Sequence, residues 1–464
     1  MCTCPPPHCS HITLLSPDPY YCILLTSPRL FERGADSVGL DFLAHPFWDR
    51  YIEFEERAGD QPDRIFEILS RIIHIPLHQY ARYFERYQQI AGAQPVEKLV
   101  PDAVLQRLSA ATTQELSARG GNELDHDREL RGKISNVHMD IFNGTQAETT
   151  KRWTYEQEVK RPYFHVTELE EGQLSNWSRY LDFEEQQGDY SRTKFLYERC
   201  VVACAHYEEY WQRYARWMYA QEGKEDEVRN ILRRACCLYA PIARPAVRMQ
   251  WALFEETCDR SSVAAAIYEA ILVVMPGYLE AITSLASMQR RQAGSEAAMA
   301  VYQEYLDNDE CTSQTKGALV AEMAQLACQM SGSMESGRKV FQAQQQDFVD
   351  SQPFWSRYLT FEMDQSTSPD TVASQLARVK AVHEDLRRNS RLSHDDIREL
   401  SQVYLRFLSE KGGPSAAREY MDLDAEVNGP ASIVPSMKNR NMGGKSVQQA
   451  PMSKLPMSNG HVVG

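Results

Sequence analysis

One line recurs in this chain. "FWDRYIEFEERAGD" occupies residues 47–60, "NWSRYLDFEEQQGD" residues 176–189 and "FWSRYLTFEMDQ" residues 354–365. In the first copy Trp48, Tyr51 and Phe54 fall at i, i+3 and i+6, one stripe along a helix. Glu55 and Glu56 follow, on what reads as the wet side. "AGD" then ends the helix, with Gly59 suited to a left-handed C-cap. In "QPDRIFEILSRIIHIP", Pro62 suits a first turn, Ile65, Phe66, Leu69, Ile72 and Ile73 repeat at helical spacing, and Pro76 closes. The unit is a helix A, a short turn and a helix B.

The unit can be followed by its first large A-helix residue. It is clear at Trp177 (with Tyr180 and Phe183), at Trp211 (Tyr214, Trp217) and at Trp355 (Tyr358, Phe361). Fainter copies start at Arg248, Ile282 and Val320, and a last one near Ser401. Successive starts from Trp177 to Trp355 lie 34, 37, 34, 38 and 35 residues apart. The B helices keep the same time at Tyr197, Leu232, Tyr268, Tyr302 and Phe341. A period near 35 residues built from two helices means an all-α fold, an α-solenoid. One helix pair cannot bury both of its apolar stripes, whereas stacked neighbours can. The aromatic residues are therefore expected to be core packing.

Composition narrows the function classes. Net charge is −14 over 464 residues, which argues against a surface built mainly to grip a phosphate backbone. The 11 cysteines show no paired metal-ligand spacing in the helical body, and an odd count without a secretion signal fits a reducing compartment. "MCTCPPPHCS" lacks a basic segment followed by an apolar core, so it is no signal peptide. The longest apolar run, "AAAIYEAILVVM", is broken by Glu269 and too short to span a bilayer, so no membrane partner is expected.

The A-helix pattern W-x-x-Y-x-x-[FW]-E, with [VI]-[FY]-E-R in helix B, resembles the half-a-TPR (HAT) repeat. Longer stretches are more specific. "LFERGADSVGLDFLAHPFWDRYIEFEE", "IHIPLHQYARYFERY", "TTKRWTYEQEVKRPYFHVTELEEGQLSNWSRYLDFEE" and "YAPIARPAVRMQWALFEE" resemble the pre-mRNA processing factor 39 family. The resemblance covers Arg29 to Pro430. It implies a nuclear HAT-repeat splicing factor of the U1 small nuclear ribonucleoprotein, which recognises the 5′ splice site. It implies no catalysis and no cofactor. It implies protein partners among the U1 subunits and pairing through C-terminal repeats, either as a homodimer or with a related HAT protein. Two alternatives stay open: a direct RNA-binding module, and a HAT scaffold of mRNA 3′-end processing. "RLFERGAD" (29–36) resembles the second half of a B helix, so the N-terminal HAT repeats of the family are expected to be missing here.

The expected organisation is a leader at 1–28, disordered by its composition; first HAT repeats at 29–88; a loop and inserted long helices at 89–173; the C-terminal HAT array at 174–424; and a disordered tail at 425–464. Within the insertion, "SAATTQELSARGGNELDHD" (109–127) reads as a loop. The helix formers from Arg128 to Val159 are interrupted at Asn143 and Gly144. Beyond Gly413 nothing polar covers Leu376, Val379, Val382, Leu386, Leu400, Tyr404 and Leu408, which points to a partner at that end. The alternative is that "AAREYMDLDAEV" (416–427) folds back as a cap through Tyr420, Met421 and Leu423.

Candidate chemistry is sparse. Cys2, Cys4, His8 and Cys9 hold thiolates and an imidazole, yet their spacing matches no common zinc site, so no metal is assigned. "TTKRWTYEQEVKRPYF" (149–164) mixes Lys151, Arg152, Lys160 and Arg161 with Trp153, Tyr155 and Tyr163. Basic and aromatic side chains together can contact phosphates and stack on bases, or meet a protein partner. The same mix also occurs on a solvated helix face. His74, His78, His165 and His206 share no nucleophile or carboxylate constellation, and no phosphate-binding glycine loop is present.

Overall fold

The computed structural model describes residues 28–58, 62–119, 123–365 and 371–429, and every regular element among them is a helix. The glycine C-cap at Gly59, the Cys/His leader and the tail after Gly429 lie outside the described residues. Among the described residues no helix is long and apolar enough to cross a membrane. The chain divides into two compact units, residues 1–247 and 248–464. Each is a run of antiparallel helix pairs, an α-solenoid of HAT repeats.

The turns follow from local chemistry. Gly188 takes φ +75° at the end of helix Glu171–Gln187, and Asp189 then accepts from Arg192 N–H to cap helix Tyr190–Ala203. Only a residue without Cβ adopts that backbone at no cost, so "GD" stops one helix and starts the next. Gly332 (φ +65°) and Ser333 repeat the device between Ser313–Ser331 and Met334–Gln344.

The recurrent aromatic residues do the packing. Trp48, Trp177, Trp211 and Trp355 are each at most 1% exposed, and Tyr51, Tyr180, Tyr214 and Tyr358 at most 4%. Phe54, Phe183, Trp217 and Phe361 are half-buried. Each tyrosine lies nearly parallel on an aromatic ring of the preceding B helix: Tyr51 on Phe31 at 4.9 Å, Tyr180 on Tyr155 at 5.0 Å, Tyr214 on Tyr197 at 4.7 Å and Tyr358 on Phe341 at 4.5 Å. The third aromatic leans on the same ring at 5.0–5.5 Å. The fainter copies bury their positions too: Ile282, Leu285 and Met288, then Val320, Met323 and Leu326.

A polar relay runs beside the rings. The residue after the stacked aromatic is Glu32, Glu156 or Glu198, and it accepts from the tyrosine hydroxyl at 2.6, 2.8 and 2.8 Å. The same glutamate pairs with an arginine from the following B helix, Arg71, Arg199 or Arg234, at 2.7–2.9 Å. That guanidinium lies over the tryptophan of its own repeat at 5.5–6.0 Å. Burial, reinforced by Glu32, pushes the Tyr51 hydroxyl up to about 12, so it stays a donor at neutral pH.

Four sequence expectations need correction. Glu55 does not face water, although Glu56 does: Glu55 is 8% exposed, and Glu184, Glu255 and Glu362 in later copies are 3%, 1% and 0% exposed. Seven residues are two helical turns, so a glutamate seven after the tryptophan returns to the tryptophan face. Residues 109–119 and 123–127 are not loop: they lie in helices Asp102–Arg119 and Glu123–Glu158. Asn143 and Gly144 interrupt nothing, because Glu123–Glu158 is one helix of 36 residues. Finally, the apolar C-terminal end is capped. Helix Ala416–Val427 packs on His394–Lys411, Leu423 is buried, Tyr404 donates to Glu419 at 2.7 Å, and Arg387 pairs with Glu426. Met421 stays 65% exposed on its outer side.

Candidate partner interface

The last turns of the long helix Glu123–Glu158 carry three of the candidate residues, and they serve as the B helix for the repeat at Trp177. Tyr155 and Glu156 take the parts of the stacked ring and the relay carboxylate. Three residues earlier, Arg152 is 4% exposed and grips Glu184 with Nε–Oε1 at 2.7 Å and Nη2–Oε2 at 3.0 Å. Its Nη1 meets Glu148 at 2.5 Å, and its guanidinium lies 5.2 Å from the Phe183 ring centroid. Burial works against this charge, but the hydrogen bonds and charge of Glu184 prevail and hold its pKa above the usual arginine value. Arg338 repeats the arrangement with Glu362 at 2.6 Å, three residues before Phe341. Arg152 is therefore part of the repeat architecture, not a free cation for RNA. The signal that could have revealed it is the spacing itself: arginine three before the B-helix ring, glutamate seven after the A-helix tryptophan.

The other candidates are dispersed. Lys151 is exposed and pairs with Glu148 at 2.6 Å. Trp153 is 37% exposed, stacked on His78 at 5.1 Å and edge-on to Phe42 at 5.8 Å. Lys160 and Arg161 lie beyond the helix in an irregular segment, where Arg161 donates to Thr167 O at 2.9 Å and Thr167 Oγ1 at 3.1 Å. The structure does not bring the five together as one surface.

A cleft of about 410 Å³ opens beside Arg152, lined also by His74, Thr145, Glu148, Asp189 and Arg192. Burial and the neighbouring Arg152 charge lower the Arg192 pKa, while Asp189 approaches its Nε at 3.5 Å. Both guanidinium groups already face carboxylates, so the cleft has no surplus positive charge for a phosphate. Among the described residues no group of three or more His, Cys, Asp or Glu side chains could hold a metal ion.

Comparison with known proteins places these elements. The profile described as "PRP39 C-terminal HAT repeat" matches residues 150–291, beginning where the long helix becomes a B helix. That described as "PRP39 N-terminal HAT repeat" matches residues 26–89, so an N-terminal repeat of the family is present, contrary to the expectation from "RLFERGAD". Pre-mRNA-processing factor 39 of Schizosaccharomyces pombe is 42% identical over 448 residues, 93% of this chain and 73% of the relative. The Homo sapiens protein of that name is 30% identical over 67% of this chain, which spans 48% of its length. The U1 small nuclear ribonucleoprotein component PRP42 of Saccharomyces cerevisiae is 22% identical over 44% of this chain and 38% of its own length. The crystal structure of CSTF-77 superposes with a TM-score of 0.54 over 95% of this chain and 83% of that one, at 11% identity, a likeness of fold alone. With HAT repeats matched over residues 26–89 and 150–291 and a relative this similar along nearly its whole length, the chain belongs to the pre-mRNA-processing factor 39 family.

Proposed function

We propose that this chain is a non-catalytic HAT-repeat scaffold in pre-mRNA splicing, working in the nucleus to hold protein subunits of the U1 small nuclear ribonucleoprotein for 5′ splice-site recognition. The observation that carries the reading is the extended similarity to pre-mRNA-processing factor 39, supported by the match to a U1 component. Physically, stacked repeats offer long surfaces held stiff by their aromatic interiors. Direct RNA binding through residues 149–164 is the weaker reading, because Arg152 and Lys151 are engaged with carboxylates and the chain carries net charge −14. A 3′-end processing scaffold draws only on a likeness of fold.

The test is purification of the tagged full chain from nuclear extract, with U1 proteins and U1 RNA quantified as salt rises from about 50 to about 200 mM. Protein-mediated capture survives that range, whereas binding through six to ten phosphate contacts falls by about 10³–10⁵. Absence of U1 proteins from the wild-type eluate would remove the scaffold reading. Pairing with a second HAT chain through the C-terminal repeats belongs to the same reading. Since the end is capped, the surface available for it is the outer side of helix Ala416–Val427, around Met421. Light scattering at micromolar concentration on wild type and Met421→Asp checks this: equal monomer masses would exclude it.

A further inference from the structure

Between the long helix and helix Glu171–Gln187 the chain runs through residues 159–170 without regular structure, yet it is tied down along its length. Lys160 N–H donates to Gln173 Oε1 at 3.0 Å, and Leu169 N–H donates to the Tyr207 hydroxyl at 2.7 Å. The Arg161 guanidinium clasps Thr167, and Thr167 N–H donates to His165 Nδ1 at 3.1 Å. Leu169 is buried, but the apolar residues at the crown are not: Tyr163 is 46% exposed, Phe164 43% and Val166 78%. A loop fixed by its own hydrogen bonds does not need those side chains outside for solubility or for folding.

The crown continues onto two neighbouring corners. Phe164 stands edge-on to His206 at 4.9 Å, and His206 Nδ1 lies 2.8 Å from Tyr239 O. The His206 carbonyl accepts from Arg244 at 3.5 Å, on a connection that also carries Ile242, 41% exposed. The cations here differ from those paired within the neighbouring helices. Arg152, Arg179, Arg199, Arg213 and Arg234 each meet a carboxylate. Lys160, Arg161 and Arg244 meet none among the described residues, where Arg161 and Arg244 donate only to carbonyl and hydroxyl oxygens. The acidic residues of the loop, Glu168 and Glu170, come after the turn at Thr167.

We propose that Tyr163, Phe164, Val166 and the His206–Arg244 corner dock a segment of a partner protein that carries a large apolar side chain flanked by carboxylates. This rests on the scaffold reading and names the chemistry of one of its partners. Pre-positioned aromatic side chains lose little freedom on binding, which is what makes such residues anchors. The unmatched cations supply complementarity to carboxylates and set which partner is accepted. RNA is disfavoured, because the chain as a whole carries net charge −14 and repels phosphate.

The experiment selects a random dodecapeptide phage library on the full chain. It then compares selected peptides by fluorescence anisotropy on wild type, on Tyr163→Ser/Phe164→Ser/Val166→Ser and on Lys160→Glu/Arg244→Glu. All altered residues are exposed or half-exposed, so both variants are expected to melt as wild type. The expected peptides place Leu, Phe or Trp beside Asp or Glu and bind either variant at least about tenfold more weakly. The inference is overturned if no peptide distinguishes wild type from the variants, if the distinguishing peptides are basic, or if a labelled uridine dodecamer binds wild type and loses that binding in the same variants. It also falls, with the scaffold reading intact, if U1 proteins co-purify equally with all three chains. Failure of U1 proteins to co-purify with wild type would remove the scaffold reading while leaving the peptide result to stand.

Discussion

Glu184 shows how much of this protein is decided by single side chains. It is 3% exposed and accepts both arms of Arg152. Removing one member of a buried pair strands the other charge, so Glu184→Gln is expected to cost about 3–5 kcal/mol. Replacing both, as Arg152→Met/Glu184→Leu, should restore much of that, and urea denaturation of the three chains measures it. A second buried group makes a pH prediction. His383 is 2% exposed, stacked on Tyr404 at 4.3 Å, with Nε2 3.0 Å from Ser401 Oγ. Burial, aided by the Arg387 charge and opposed by Glu426, lowers its pKa to about 4. The unfolded chain therefore binds the extra proton first as pH falls. The stability due to a neutral His383 is complete above about pH 6.5 and drains away toward pH 4, by about 3 kcal/mol in all. The urea midpoint of wild type should fall more steeply over that window than that of His383→Asn, and equal slopes would contradict it. The tryptophans, tyrosines and their stripe were legible in the sequence because large apolar residues at helical spacing have one economical place to go. The carboxylates were not, because charge suggests water until the arginine that accompanies it is located, and that arginine lies 32 residues away for Glu184.

At the scale of elements, composition misled where tertiary contact prevailed. The segment from Ser109 is rich in Ser and Thr, yet the hydroxyls of Thr112, Thr113 and Ser117 donate to carbonyls four residues back at 2.7–2.9 Å. Thr112 and Leu116 are buried, and the helix lies against Glu123–Glu158. The long helix likewise absorbs Asn143–Gly144, since Thr145 anchors it by donating to Ile73 O at 2.7 Å. A Cβ at Gly144 would meet nothing within 4 Å. Gly144→Ala should therefore stabilise the chain by about 0.5–1 kcal/mol, read as a higher melting temperature. The C-terminal cap was open in sequence because its helix is short and covers the end with one fully buried residue, Leu423. Ending the chain at Lys411 exposes the face beneath, around Leu405 and Leu408, and light scattering should then report larger assemblies than the full chain forms at the same concentration.

For the whole molecule, repeat energetics are local. Trp177→Ala should cost about 3–5 kcal/mol, as aromatic truncations in cores do. Its effect on hydrogen exchange should centre on helices Glu171–Gln187 and Tyr190–Ala203 and leave Leu279–Ala293 onward protected. Uniform loss of protection would mean one cooperative body rather than nearest-neighbour coupling. The solenoid class and the family were readable end to end because the repeat samples the same physics many times. The proposed partner surface was legible only in part: the sequence marked residues 149–164, but Val166 and the His206–Arg244 corner join Phe164 only through the fold.

The relay of tyrosine, glutamate, arginine and tryptophan has a bearing on how such a chain can change length. Each glutamate sits on one unit while its tyrosine and arginine sit on the next. A cut or insertion inside a unit would leave a carboxylate facing a hydroxyl that is not there, or a guanidinium over a ring with no counter-charge. One that adds or drops a whole unit, such as the 34 residues from Trp177 to Trp211, returns the tyrosine, glutamate, arginine and tryptophan of the relay to equivalent partners. Duplication in register is thus the inexpensive route for this sequence to grow or shrink, and a frame of about 35 residues is preserved by hydrogen bonding as much as by the hydrophobic core.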